Sequence, residues 1–156
     1  MRAMSDDTTP TIRPLEAWDL GPVTSLVRSL RAAHDLPADV GGTGMDRVAN
    51  DPGSGAGAWV VEDGEGAVVG TAVVQPFEGD ACELKRIYLA PEHHGQGWGR
   101  ALLRHARGWA RGEGYRFMVF DVPPGLDGAE RLADGAGFEV ADEHPTSGVT
   151  RWVLEF

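Results

Sequence analysis

The chain has 156 residues, of which 42% are apolar and 24% are charged, a composition typical of a single soluble globular domain. Its 24 acidic residues outnumber 14 basic ones, and the resulting formal charge of −10 disfavours nucleic acid and anionic membranes as partners and favours amines. Because no stretch approaches the ~18 continuous apolar residues of a membrane span, and no secretory leader pattern is present, we expect a cytoplasmic protein.

Two hydrophobic periods alternate along the chain, the period of two typical of strands and the period of 3.6 typical of helices. Residues 1–10 are expected to form a disordered tail, and residues 11–156 a single domain. The turn signal Asp63-Gly64-Glu65-Gly66 predicts a β-hairpin. In chain order, the pattern predicts a strand at 11–13, a helix at 19–34, a short helix around 45–49, strands at 58–62, 67–75 and 82–89, a helix at 97–112, a strand at 115–122, a helix at 128–136, and strands at 137–141 and 149–156.

The most informative segment is 83–104, in which a strand and a turn lead through a glycine-rich loop into a helix. Glycines let backbone N–H groups approach a ligand, and the helix N-terminus adds unpaired donors and a partial positive charge. This arrangement predicts a phosphate or pyrophosphate site. The spacing of Gly95, Gly97 and Gly99 fits neither the P-loop nor the dinucleotide-binding fingerprint.

The same segment resembles the acyl-CoA-binding motif of the GCN5-related N-acetyltransferase (GNAT) superfamily, Gln/Arg-x-x-Gly-x-Gly/Ala. Here it reads His94-Gly95-Gln96-Gly97-Trp98-Gly99, with His at the first position. The predicted element order resembles that of the family over nearly the whole chain. The resemblance implies an α/β (α+β) domain with a mixed, mostly antiparallel sheet of six to seven strands, about four helices, and a splay at the acyl-CoA site. It also implies acetyl-CoA as co-substrate, held by Ile87, Leu89, His94, Gly95, Gln96, Gly97, Trp98, Gly99, Arg100 and Ala101.

Acetyl transfer from a thioester to an amine needs a neutral amine, a polarised carbonyl and a stabilised leaving thiolate. In the resemblance, Glu83 occupies the place of a general base, and the alternative interpretation is a salt bridge with Lys85 or an arginine. The strand end at Ile87, Tyr88 and Leu89 is expected to receive the pantetheine arm, with one backbone N–H polarising the carbonyl.

The general acid is harder to assign. Relatives often carry Ala-x-x-Leu-Tyr-x-x-x-Gly-Phe near the C-terminus, and here Ala133 stands in place of the tyrosine. Tyr88 becomes the candidate acid, with simple packing as its alternative. Two functions stay open at this point: an N-acetyltransferase acting on a primary amine of a small molecule or protein, and a non-catalytic acyl-CoA-binding or regulatory module.

Other residues each have two interpretations. Asp121 either holds the acceptor ammonium or caps the following turn. The glycine-rich stretch 39–58, which flanks the acceptor pocket in the family, is a lid or a surface loop. Cys82 is a nucleophile or a small buried residue. The final strand, 149–156, lies in the core or in a dimer seam, so a monomer and a homodimer are both open.

Charged residues beside the loop also have two interpretations. Four arginines fall on one face of the helix after the loop, where they either attract CoA phosphates or form a solvated surface. His93 and His94 are adjacent and do not share the helical face of an HExxH site, so no metal is expected. The four arginines are Arg100, Arg104, Arg107 and Arg111.

Overall fold

The computed structural model describes residues 10–33, 55–123, 125–144 and 148–156, without the side chains of 142–144. Within these residues lie seven strands, three α-helices and two short 3-10 turns. The strands are β1 (Thr11–Pro14), β2 (Gly57–Glu62), β3 (Val68–Pro76), β4 (Ala81–Leu89), β5 (Phe117–Val122), β6 (Glu139–His144) and β7 (Val149–Glu155); the helices are α1 (Leu20–Ala33), α2 (Trp98–Gly112) and α3 (Asp127–Gly135); the turns are Ala17–Asp19 and Pro91–His93.

All seven predicted strands and the three longer predicted helices are confirmed. The short helix predicted around 45–49, and nearly all of the predicted tail at 1–10, lie outside the described residues. Several boundaries differ by two or three residues, and one of these errors has a clear cause: the sixth strand does not begin at Gly137. That glycine has φ +92°, and the next amide, of Phe138, donates to the Ala133 carbonyl at 3.0 Å. This left-handed turn ends α3, and β6 begins only after it.

The strands form one mixed sheet in the order β1-β2-β3-β4-β5-β7-β6. Every neighbouring pair is antiparallel except β4 and β5, which are parallel. That parallel pairing covers only Ala81 to Glu83 against Phe117 to Val119. Beyond it the two strands separate, which confirms the predicted mixed, mostly antiparallel sheet with a splay in its middle.

Hydrophobic residues pack on both faces of the sheet. The larger cluster joins one face to α2 and α3, and the smaller cluster joins the opposite face to α1. Trp152 and Leu154 of β7 are buried in the larger cluster, so the core interpretation of the final strand holds for these two residues. None of the helices in the described ranges is long and apolar enough to cross a membrane.

A β-bulge in β4 changes which side chains share a face. Val74 of β3 is opposite Leu84, whereas the preceding residue, Val73, is opposite Arg86, so one extra residue of β4 is inserted between them. Glu83 is opposite Gln75, which lies two residues from Val73 and therefore on the same face of β3. Simple alternation from residue 83 would put Arg86 on the other face, but the bulge brings it onto the face of Glu83.

Candidate active site

The glycine-rich loop has the backbone that an anion site requires. Gly97 is the N-cap of α2 and has φ +84°, and Gly95 has φ +80°. A Cβ at either position would meet no atom within 4 Å, so the left-handed backbone, not a lack of space, demands glycine at both. Gln96 is exposed between them.

Backbone donors of the first helical turn point out of the N-terminus of α2. No side chain caps this end of the helix within the described part of the chain. The Ala101 amide donates to the Gly97 carbonyl at 3.0 Å and begins the helical ladder. Amides before it, including those of Gly99 and Arg100, have no carbonyl four residues earlier in the helix. These amides, rather than that of Ala101, are therefore the donors suited to a phosphate.

Two histidines fix the loop against the strand and the helix. The Nε2 atom of His94 lies 2.8 Å from the Leu89 carbonyl oxygen, so the first residue of the motif ties the loop back to the end of β4. The His93 ring stacks on Trp98, with centroids 4.3 Å apart and planes within 10°. Trp98 is buried, as expected of a packing residue at the helix start.

The four arginines of α2 divide into two groups. Arg107 donates from Nη1 to the Ala136 carbonyl at 3.1 Å and so joins α2 to the end of α3. Arg100, Arg104 and Arg111 are exposed. Of these, Arg100 and Arg104 lie nearest the loop in sequence and are the cations best placed to attract phosphates.

Glu83 lies where the sheet opens. Its register partner on β5, Val119, belongs to the last pair before the two strands separate. Its side chain is half-buried, and its carboxylate has no hydrogen bond or ion pair with any residue in the described ranges. The alternative interpretation of Glu83, a salt bridge with Lys85, does not hold among the described residues, and Lys85 is exposed.

Beyond Glu83, β4 keeps β3 on one side and has no described strand on the other. Ile87 and Leu89 lie on this stretch, half-buried against the larger hydrophobic cluster. Backbone groups along such an edge can pair with an extended, amide-bearing ligand as a further strand would. This is the edge that the sequence assigned to the pantetheine arm.

Tyr88 occupies the far end of the Glu83 face. Its register partner is Thr71, two residues from Val73. Its hydroxyl accepts a hydrogen bond from Arg31 Nη1 of α1 at 2.9 Å. Arg86 lies between Glu83 and Tyr88 on this face, so about 13 Å of strand separates the candidate base from the candidate acid.

Asp121 is held by an arginine of the neighbouring strand. Arg151, its register partner on β7, donates from Nε and Nη2 to the two carboxylate oxygens, each at 2.8 Å. The guanidinium also lies over the Phe77 ring, 5.2 Å from its centroid. Sequence reasoning missed Arg151 because this pairing depends on the register of β5 with β7. The assignment of Asp121 to acceptor binding stays a prediction.

Two further residues named from the sequence are buried in the core. Ala133, in the place of the family tyrosine, is fully buried. Cys82 is fully buried as well, and burial raises the pKa of its thiol to about 11, so it is a core residue and not a nucleophile. No cluster of three or more potential metal ligands occurs among the residues whose positions are described.

Comparison with known proteins relates this arrangement to acetyltransferases. The chain is 32% identical over 143 residues to the uncharacterized N-acetyltransferase YjgM of Escherichia coli (strain K12). The alignment covers 85% of this chain and 84% of YjgM. The chain spans about half the length of other relatives that it matches, such as N-acetyltransferase 8B of Rattus norvegicus, of which it covers 46%.

Solved structures establish the fold independently. An acetyltransferase of the GNAT family from Staphylococcus aureus Mu50 matches with a TM-score of 0.82 at 13% identity, over 94% of this chain and 99% of that one. The paia N-acetyltransferase of Thermoplasma acidophilum, in complex with coenzyme A, matches with a TM-score of 0.78 at 16% identity, over 95% and 99% of the two chains. The sequence model of the acetyltransferase (GNAT) family matches residues 28–138 of this chain. On this match and the identity to YjgM, the chain belongs to the acetyltransferase (GNAT) family, whose members are acyltransferases.

Proposed function

We propose that this protein transfers the acetyl group of acetyl-CoA to a primary amine of a small molecule or protein, by direct attack in a ternary complex. The observation that carries the proposal is the separation of β4 from β5 beyond Glu83, on the strand that leads directly into the glycine loop. One end of β4 thus carries a candidate base, and the other end leads into a candidate phosphate site.

Binding of acetyl-CoA uses the loop and the strand edge together. The pyrophosphate accepts hydrogen bonds from the first-turn amides of α2, and Arg100 and Arg104 add positive charge nearby. The pantetheine arm then extends along the unpaired edge of β4 beside Ile87 and Leu89. The complex of a structural neighbour with coenzyme A supports this use of the fold.

The chemistry needs one proton acceptor and one proton donor. Glu83 takes a proton from the acceptor amine, directly or through water, and the neutral nitrogen attacks the thioester carbonyl. A C–N bond forms, the C–S bond breaks, and a backbone N–H of β4 stabilises the oxyanion between these events. The leaving thiolate takes a proton from Tyr88 or from water, and the proton that the nitrogen loses as it becomes an amide returns to that donor through water. Ala133 supplies no such proton, because a methyl side chain has none to give.

The protein's charge and sequence support a proposal for its partners and its location. At a formal charge of −10 its field attracts ammonium groups and repels nucleic acid and anionic membranes. We propose a cytoplasmic enzyme, monomeric or homodimeric, that needs no metal. Asp121 is proposed to contact the acceptor ammonium with lone pairs that its pairing with Arg151 leaves available, since a carboxylate offers about four acceptor sites.

The test is release of free CoA thiol from acetyl-CoA, with and without a panel of amines, alongside calorimetric titration of CoA. We expect thiol release that depends on the amine. Tight CoA binding without release across a broad panel would favour the non-catalytic module, and absence of CoA binding would refute the interpretation of the loop.

Glu83→Gln is the matching variant, and Glu78→Gln is its control, since Glu78 is an exposed residue of the loop before β4. Loss of a positioned general base lowers turnover by about 10²- to 10⁴-fold, and calorimetric affinity for CoA should be unchanged. Raising the pH should partly restore the Glu83→Gln rate, because more amine is then neutral in solution. Equal turnover of the two variants would show that Glu83 is not the base.

A further inference from the structure

Three hydrogen-bond donors collect on the β4 face that carries Glu83. Arg86 lies on this face because of the bulge, and Tyr88 lies beyond it. Arg31, near the end of α1, reaches the same place and donates to the Tyr88 hydroxyl at 2.9 Å. Two cations and a phenol therefore lie in a row that starts at the proposed base, in a protein whose charge is strongly negative.

The spacing of this row suits a small bifunctional molecule. Neighbouring residues on one face of a strand are about 6.6 Å apart along the chain, so Arg86 lies one such step from Glu83. An amine at Glu83 and an anionic group at Arg86 would then be separated by only a few covalent bonds.

The donors retain capacity for an additional acceptor. Because the Tyr88 oxygen accepts the Arg31 hydrogen bond, the phenolic proton points away from Arg31 and can be donated. The Arg86 side chain already has an interaction within the protein, but a guanidinium has five N–H donors and commonly serves more than one acceptor. Arg86 is 5% exposed, and a buried guanidinium binds a carboxylate more strongly than an exposed one does.

The overall charge narrows the class of anion. A net charge of −10 disfavours an acceptor that is itself negatively charged, whereas a zwitterion carries no net charge and meets no such barrier. Acetyl-CoA is anionic too, but the amides and arginines proposed for its phosphates offset that repulsion locally. Local arginines can then orient its carboxylate while Glu83 faces its ammonium group.

We propose, on the basis of the acetyl transfer proposed above, that Arg31, Tyr88 and Arg86 bind a carboxylate on the acceptor. The acceptor is accordingly an amino-acid-like molecule, with its amine at Glu83 and its carboxylate along the Arg86 and Tyr88 face.

The test compares amino acids with their own carboxamides as acceptors in the thiol-release assay. The panel holds the common L-α-amino acids, β-alanine and γ-aminobutyrate, each paired with its amide. We expect kcat/KM to be about 10- to 100-fold higher for the acids that react, the factor typical of hydrogen bonds to a charged group. Equal kcat/KM for acids and amides would overturn the carboxylate site and leave acetyl transfer itself intact. Failure of every amine would overturn the proposed function, and this inference with it.

Variants locate the site. Arg31→Gln removes one cation at the half-buried end of α1, and Arg28→Gln, at an exposed position one turn earlier, is its control. We expect Arg31→Gln to raise the KM of the acids about tenfold or more, with no change for their amides or for acetyl-CoA. Equal effects on acids and amides, or no effect on either, would overturn the assignment.

Tyr88→Phe separates two roles of the phenol. Loss of a carboxylate contact raises KM for the acids alone, as in Arg31→Gln. A fall in kcat for acids and amides alike would instead identify Tyr88 as the general acid and remove it from the carboxylate site. Circular dichroism spectra and unfolding midpoints of both variants verify that the fold is intact.

Discussion

Two alanine substitutions in the glycine loop should have opposite effects on stability. Gly97→Ala forces an alanine to adopt φ +84°, which costs about 1–2 kcal/mol, and the reduced freedom of the unfolded chain returns about 0.4–1 kcal/mol. Gly99 lies inside α2, where an added Cβ would meet only Leu132 Cδ2, at 3.9 Å. That is an ordinary contact, so Gly99→Ala should gain up to about 1 kcal/mol of helix propensity. In a domain of this size each kcal/mol shifts Tm by about 2–4 °C.

The two variants should differ more in their affinity for CoA than in their stability. If Gly97→Ala relaxes the helix N-terminus, at least one amide-to-phosphate hydrogen bond is lost, worth about 1.5–3 kcal/mol or roughly tenfold or more in Kd. Gly99→Ala should bind nearly as the unmodified protein does, because the resembling family motif accepts alanine at that position. Calorimetric titration of CoA and thermal unfolding measure both effects. Unchanged affinity in Gly97→Ala, or an equal loss in both variants, would refute the assignment of the loop.

Three further outcomes are expected. The Arg13 guanidinium beside Asp19 and a backbone amide hold the pKa of that buried carboxyl below its usual value, so the pair's stabilisation is complete above pH ~4 and is lost as pH falls through the lowered pKa. Asp19→Asn should therefore lower the free energy of unfolding by about 2 kcal/mol at pH 7 and by little in strong acid. Urea unfolding of both proteins from pH 7 to pH 2 measures this, and a difference that stays constant with pH would contradict it. Cys82 should resist alkylation in the native protein and react once urea unfolds it, as mass spectrometry would record; rapid native labelling would contradict its burial. Asp121→Asn should raise the acceptor KM and, by weakening the half-exposed pair with Arg151, lower stability by about 1 kcal/mol, whereas an unchanged KM would leave Asp121 a purely structural role.

Local patterns predicted most of the fold. Period-two and period-3.6 hydrophobicity identified the strands and helices because each element buries one or both of its faces in the core. The loop was predictable for a similar reason, since left-handed positions such as Gly95 and Gly97 strongly favour glycine. Gly137 shows the limit of this reasoning, because its residue type alone did not tell a helix-ending turn from the start of a strand.

The parts of the site that escaped prediction depend on register. A one-residue bulge places Arg86 beside Glu83. The apolar positions of β4 do shift phase there, from Cys82 and Leu84 to Ile87 and Leu89, but that shift does not name the residues that then become neighbours. The pairing of Asp121 with Arg151 likewise needs the alignment of two strands that are distant in sequence. Side-chain partners across a sheet are fixed by tertiary packing, so a sequence pattern can name candidate residues without naming their neighbours.

The most direct test of the central claim is a stoichiometric one. Purified protein is incubated with acetyl-CoA and a reactive amine, and the free thiol and the acetylated amine are both quantified, the latter by mass spectrometry. The proposed transfer predicts one acetylated amine for each thiol released, with both rates lowered together in Glu83→Gln. Thiol release without acetylated amine would mean that water takes the acetyl group, and would contradict the account.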